Sequence, residues 1–382
     1  MKSSFYRETE TKKALLGFIE GASILSMASE VRTFETRFAQ WQKRKYAVMV
    51  NSGSSANLIL FQGLLNAGVL KVGDRVGVSA LTWATNVMPI IQLGMIPVAI
   101  DCSLATLNVS AGNLSEKIDT LQALFITNVL GFGDDLPRIR ALCERKKVLF
   151  LEDNCESLGS VIQGTLLGNF SFASTFSFFI GHHLSTIEGG MVCTDDEVLY
   201  QELLMARSHG WDRQLPEQAQ MELRMNFEVD DFYSKYTFYR LGFNVRPTEI
   251  QGFLGNCQLA HLDEMILRRA TFFSQFNEVI AKNNHFLPLD LSHMQTVSNF
   301  AVPIVCASKE LFYFYQKLFT DSGVEIRPII SGDITRQPFF KSLGSNYALP
   351  NAGVIHEQGF YFTNRPDLIP EEISVLIQLL SI

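Results

Sequence analysis

Short apolar runs alternate with helical stretches through the first half of the chain. Tyr46–Val50, Arg75–Ser79, Ile96–Asp101, Ala123–Thr127 and Val148–Glu152 are brief, largely apolar segments bounded by polar or glycine-containing turns. That is the pattern of strands buried on both faces. Asn57–Ala67 and Leu136–Arg145 between them carry helical spacing. Strands alternating with helices predict a mostly parallel sheet covered on both sides. Thr175–Phe179 and Met191–Thr194 extend it. Beyond Asp195 the pattern is helical as far as Ser208, then polar and irregular over Trp211–Asp231. A long helix over Thr248–Ala270 follows, then short strands within Thr296–Val305. Helices over Lys309–Ser322 and Pro370–Leu380 complete a smaller α+β unit. The expected organisation is a large domain of residues 1–245 and a small domain of residues 246–382.

Composition narrows the class. Hydrophobic residues make up 47% of the 382 and charged residues 19%, enough to bury a core and too apolar for a disordered chain. The net charge of −7 and the lack of a basic block argue against nucleic acid as a partner. Val76–Ile100 and Ser157–Gly181 carry no charge and are long enough to span a bilayer. Their internal Asn, Gln, Pro and Gly residues read instead as buried β/α segments of a water-soluble enzyme, with no membrane span expected. The first eight residues hold no apolar run, so the expected location is cytoplasmic. The six cysteines are scattered, without the close spacing of a zinc site or an iron–sulfur cluster.

Candidate chemistry gathers where strands end. Asn51-Ser52-Gly53-Ser54-Ser55 joins a strand to a helix. Glycine lets backbone approach a phosphate, and a helix N-terminus offers free N–H groups. An ordinary serine cap fits the same residues. Val148–Glu156 ends its strand in carboxylates, at the kind of edge where α/β sheets bind ligands. Asp153 there can keep a heteroaromatic nitrogen protonated, or only cap a loop. Ser177–Gly190 sets His182 beside His183, after an apolar strand and before a Gly-Gly pair. Histidine suits proton transfer near neutral pH; two packed structural histidines fit as well. No further metal ligands stand at usable spacing, so no metal is expected. Trp83 is placed to stack on a planar ligand or to pack in the core. Asn244 and Arg246 suit an anion or a solvated loop.

In order along the chain, Phe34-Glu35, Phe38-Ala39, Tyr46-Ala47-Val48, Asn51–Ser54, Glu152-Asp153, Ser177-Phe178, Glu188-Gly189-Gly190 and Gly242–Arg246 resemble the DegT/DnrJ/EryC1/StrS sugar aminotransferases. These are fold-type-I pyridoxal phosphate enzymes, and the resemblance covers nearly the whole chain. It implies an α/β fold: a large domain with a mostly parallel mixed sheet between helices, and a smaller C-terminal α+β domain. It implies that Gly53, Ser54 and Ser177 bind the cofactor phosphate and that Trp83 stacks on the pyridine ring. Asp153 would pair with the ring nitrogen. Glu156 would lie near the ring's O3′, where many relatives carry Gln. Asn244 and Arg246 would reach the neighbouring subunit's site, giving a homodimer with shared active sites.

One position departs from the family pattern. Ordinary members carry a lysine five residues after the serine at Ser177; here it is His182. The local string Gly181–Gly190 resembles a subgroup that makes this same exchange, the sugar 3-dehydratases. One branch of the subgroup needs an iron–sulfur cluster, which the cysteines here do not offer. The other uses L-glutamate, and Ile326-Arg327-Pro328-Ile329 with Ser331-Gly332-Asp333 is similar to that branch. The resemblance implies pyridoxal or pyridoxamine 5′-phosphate held non-covalently, with His182 as the catalytic group. The implied reaction removes the C3 hydroxyl of a nucleotide-linked 4-keto-6-deoxy sugar, GDP-4-keto-6-deoxymannose, with release of ammonia, in O-antigen synthesis. Arg327 would meet the glutamate carboxylate or the sugar diphosphate. His183 would orient His182, touch the substrate or pack. An aminotransferase that retains the amine, and a catalytically silent sugar-nucleotide binder, are the alternatives.

Overall fold

In the computed structural model, which describes residues 3–344 and 347–382, the apolar runs form strands close to their expected limits. In chain order these are β1 (Tyr46–Val50), β2 (Arg75–Ser79), β3 (Ile96–Ile100), β4 (Ala123–Thr127), β5 (Leu149–Asp153), β6 (Val161–Ile162), β7 (Thr165–Leu166), β8 (Ala173–Ser177), β9 (Gly190–Thr194), β10 (Met294–Thr296), β11 (Ala301–Val305), β12 (Ile326–Pro328) and β13 (Gly359–Thr363). Seven make the main sheet, in the order β1-β9-β8-β5-β4-β2-β3. The central pairs are parallel, whereas β9 pairs antiparallel with both β8 and β1. β1, β5 and β8 therefore run in one direction and end at one edge. β4 is buried along its whole length, as both-face coverage requires.

The charge-free stretch Val76–Ile100 forms β2, the helix Ala84–Gln92 and β3. Among the described residues no helix is long and apolar enough to cross a membrane. Later in the chain, β11, β13 and β12 form a separate antiparallel sheet. The helices Lys309–Asp321 and Pro370–Leu380 lie where the sequence places them.

Three expectations need correction. The helix over Thr248–Ala270 is two helices, Glu249–Leu259 and Leu262–Ile280. The first packs on Ser29–Gln42 and the second on Pro370–Leu380, so the chain bends to serve two surfaces. The irregular stretch contains the helix Glu217–Asn226, which buries none of its residues fully and packs only Ala219 and Leu223, half-buried, against the core. Finally, the helices Glu8–Gly21 and Ser29–Gln42 and the strands β12 and β13 lie outside the predicted elements.

Candidate active site

A cavity of about 1130 Å³ opens at the shared strand edge. Gly53, which begins the helix Gly53–Asn66, borders it beside Ser54 and Ser177. Ser52 caps that helix, its Oγ accepting from the Ser55 N–H at 3.1 Å. A Cβ on Gly53 would lie 2.7 Å from the Ser177 Cβ and 3.2 Å from the Cys155 Sγ, so only glycine leaves this N-terminus open. Gly190 is required for the same reason: its Cβ would sit 2.3 Å from the Ser52 carbonyl oxygen. Free helix N–H groups, flanking hydroxyls and no side chain in the way form a cradle for a phosphate.

Asp153 ends β5 and is only 2% exposed. Its Oδ2 accepts from the Asn57 amide at 3.0 Å and the Asn86 amide at 2.6 Å. Its Oδ1 accepts from the Cys155 N–H at 2.8 Å. An ionised carboxylate has about four acceptor positions, so one stays available on a side chain that borders the cavity. A protonated ring nitrogen is the kind of donor it lacks. Glu156 is buried on the same wall, its Oε2 accepting from the Leu130 N–H at 3.0 Å. Burial raises its carboxyl to about 8, and the neighbouring Asp153 charge adds to the rise. At neutral pH it is protonated, and so can donate as a glutamine would.

His182 follows β8 on a loop whose first turn is closed by its own N–H to the Phe179 carbonyl, at 2.8 Å. The ring borders the cavity and stacks on Phe300 at 5.0 Å, with Phe179 edge-on at 5.7 Å. Its Nδ1 has no hydrogen-bond partner among the described residues. Burial in this apolar slot, with the Arg269 guanidinium nearby, holds the imidazole down at about 4. His182 is therefore a neutral base at physiological pH. His183 is 3% exposed and its Nε2 contacts the Ser298 carbonyl at 3.0 Å. It packs as well as borders the cavity.

The remaining sequence candidates divide. Trp83 is 55% exposed on the cavity wall, not in the core. Arg327 stands at the rim in an ion pair with Glu325. Asn244 and Arg246 lie outside this cavity, exposed and bonded to each other at 3.0 Å. Sequence reasoning missed Asn57 and Asn86, which orient Asp153, and Phe300 and Arg269, which enclose His182. Only proximity in the fold links them to their partners. No lysine lines the cavity among the described residues, and no cluster of His, Cys, Asp and Glu there could hold a metal ion.

A model of the DegT/DnrJ/EryC1/StrS aminotransferase family matches residues 6–381. The chain belongs to that family. Among relatives, it is 32% identical to GDP-4-keto-6-deoxy-D-mannose 3-dehydratase of Yersinia pseudotuberculosis, over 94% of this chain and 92% of that one. Among solved structures, it resembles a histidine-to-asparagine mutant of GDP-4-keto-6-deoxymannose-3-dehydratase with bound GDP-perosamine. The TM-score is 0.91 at 29% identity, covering 99% of both chains. It also resembles that dehydratase with a trapped PLP-glutamate geminal diamine, with a TM-score of 0.85 at 28% identity over 97% of both. Within the family, the fold-type-I architecture accounts for the shared edge of β1, β5 and β8.

Proposed function

We propose that this family member is a pyridoxal phosphate-dependent sugar-nucleotide 3-dehydratase. It takes L-glutamate as amino donor and removes the C3 hydroxyl of a GDP-linked 4-keto-6-deoxy sugar, with release of ammonia. The observation that carries this reading is a neutral His182, its Nδ1 without a partner among the described residues, in a cavity that no described lysine lines. The relatives named above support the substrate and the donor.

In this reading Gly53, Ser54 and Ser177 hold the cofactor phosphate, and Asp153 holds the pyridine nitrogen protonated. Trp83 covers the ring, and Glu156 meets O3′. Bound there, the cofactor supplies an amine for the sugar's 4-keto group and a ring that draws electrons. His182 moves the proton. Its neutral imidazole accepts the proton that must leave before the C3 hydroxyl departs. The imidazolium so formed returns a proton to the departing oxygen. With His182 at the position of the family's lysine, the cofactor is held non-covalently by these contacts. The working unit is a cytoplasmic homodimer. Asn244 and Arg246, exposed and away from their own cavity, reach the partner's site.

Mass spectrometry tests the reading on protein mixed with pyridoxal phosphate, L-glutamate and GDP-4-keto-6-deoxymannose. The expected product lacks the C3 oxygen and appears with free ammonia. A product that keeps nitrogen would make the protein an aminotransferase instead. His182→Asn is expected to lower turnover by about 100-fold or more while cofactor binding persists.

A further inference from the structure

Arg269 is the charged group for which the reaction above has no use. It sits on Leu262–Ile280 and is 4% exposed. Its Nη1 donates to the Asn364 carbonyl at 2.6 Å and more weakly to the Asn299 carbonyl at 3.5 Å. Its Nη2 donates to the His182 carbonyl at 3.3 Å, and its Nε has no partner among the described residues. Among the described residues no carboxylate forms an ion pair with it, although the Asp367 charge is near enough to favour its protonated form. The nearby Asp367 pairs instead with Arg365, at 3.6 Å. Burying a guanidinium against carbonyls alone is unfavourable, and burial pulls this one down to about 9. It remains charged at neutral pH.

That placement has two effects on His182. The first is mechanical. Arg269 ties the His182 loop to Asn299 and Asn364, and the Asn364 amide bonds back to the Arg269 carbonyl at 3.0 Å. Phe300, next to Asn299, is the face on which His182 stacks. The second is electrostatic, because a cation beside an imidazole disfavours its protonated form. The other ionisable groups lining the cavity are Tyr6, Asp153, Cys155, Glu156, His183, Glu188, Glu325, Arg327, Tyr361, Arg365, Asp367, Glu371 and Glu372. Phe179 and Phe300, which contact the ring directly, carry no charge.

Resting on the dehydratase reading, we propose that Arg269 is a positioning residue for His182. It fixes the loop through the His182 carbonyl and sets a positive charge with no direct ion-pair partner among the described residues beside the imidazole. Burial of the ring, with the Arg269 charge adding to it, brings His182 to the reaction unprotonated and, once protonated, ready to give the proton up. One group can then serve as base and as acid in consecutive steps, because its conjugate acid is strong enough to protonate a poor leaving group.

The test is proton NMR of the histidine C2–H signals in the cofactor-bound protein, titrated with pH. The chain has 7 histidines, and His182→Gln identifies the relevant signal. The wild-type His182 signal is expected to titrate well below the ordinary value of about 6.5, and in Arg269→Gln to move up by about one pH unit or more. An unmoved midpoint in a folded, cofactor-bound Arg269→Gln protein would overturn the proposal. If that variant does not fold, Arg269→Met, which removes the charge but fills similar space, takes its place: the same upward shift is expected, and an unmoved midpoint again overturns the proposal. No substrate is present in the titration. Failure to turn over the GDP-sugar would therefore count against the reaction proposed above and leave this inference standing.

Discussion

At the scale of single residues, the cavity wall sets two carboxyls to opposite tasks. Asp153 takes three hydrogen bonds from amide and backbone donors, as an acceptor on the cavity wall. Glu156, three residues on, receives one backbone N–H and faces the Asp153 charge, and burial lifts it to about 8. The sign of its effect on stability follows. Between its ordinary value of 4.5 and about 8, the folded protein holds a proton that the unfolded chain has released. Stability therefore falls as pH rises across that window and levels off above it. Glu156→Gln keeps the shape and removes the titration. Thermal unfolding of the cofactor-free protein should show a melting temperature that declines from pH 5 to pH 8 in the wild type and much less in the variant, an interval of about three pH units. Equal slopes would mean that the carboxyl ionises in the ordinary range.

At the scale of elements, the helix Ser29–Gln42 shows how much of the fold lies beyond local signals. Its N-cap is Ala28, which has no side-chain acceptor. Glu249 supplies one from far along the chain. Its carboxylate accepts the N–H groups of Ala28 at 2.6 Å, Glu30 at 2.8 Å and Val31 at 3.1 Å. It is 3% exposed, and its negative charge also suits the positive end of the helix. Glu249→Gln replaces one acceptor oxygen with a donor facing those N–H groups, and should lower stability by about 1–3 kcal/mol. A urea titration with an unmoved midpoint would contradict this. The apolar runs of β1, β2 and β4 were legible because strands buried on both faces need little beyond their own composition. The helix at Ser29 was not, because its start is written some 220 residues away. The same holds inside the site. Ser177, His182 and Asp153 stand in recognisable strings, but the amides of Asn57 and Asn86 reach Asp153 across separations of 96 and 67 residues. No local pattern announces such pairs.

At the scale of the whole molecule, the cavity holds His182, Asp153, Gly53 and Ser177 on one chain, while Asn244 and Arg246 point elsewhere. If those two complete the partner's site, each active site of a dimer is written on two chains. That arrangement has an arithmetic consequence. A His182→Asn chain and an Asn244→Ala, Arg246→Ala chain are each expected to form inactive homodimers. In a hybrid of the two, one site carries both defects and the other carries none. Random re-pairing of equal amounts makes half the dimers hybrid, so about one quarter of the wild-type activity should return. The recovery must develop with subunit exchange and be absent when the two proteins are assayed immediately after mixing. If the double alanine variant is fully active, the two residues serve no site. If it is inactive but mixing never restores turnover, both act within their own chain, and their exposure on this loop would need another cause.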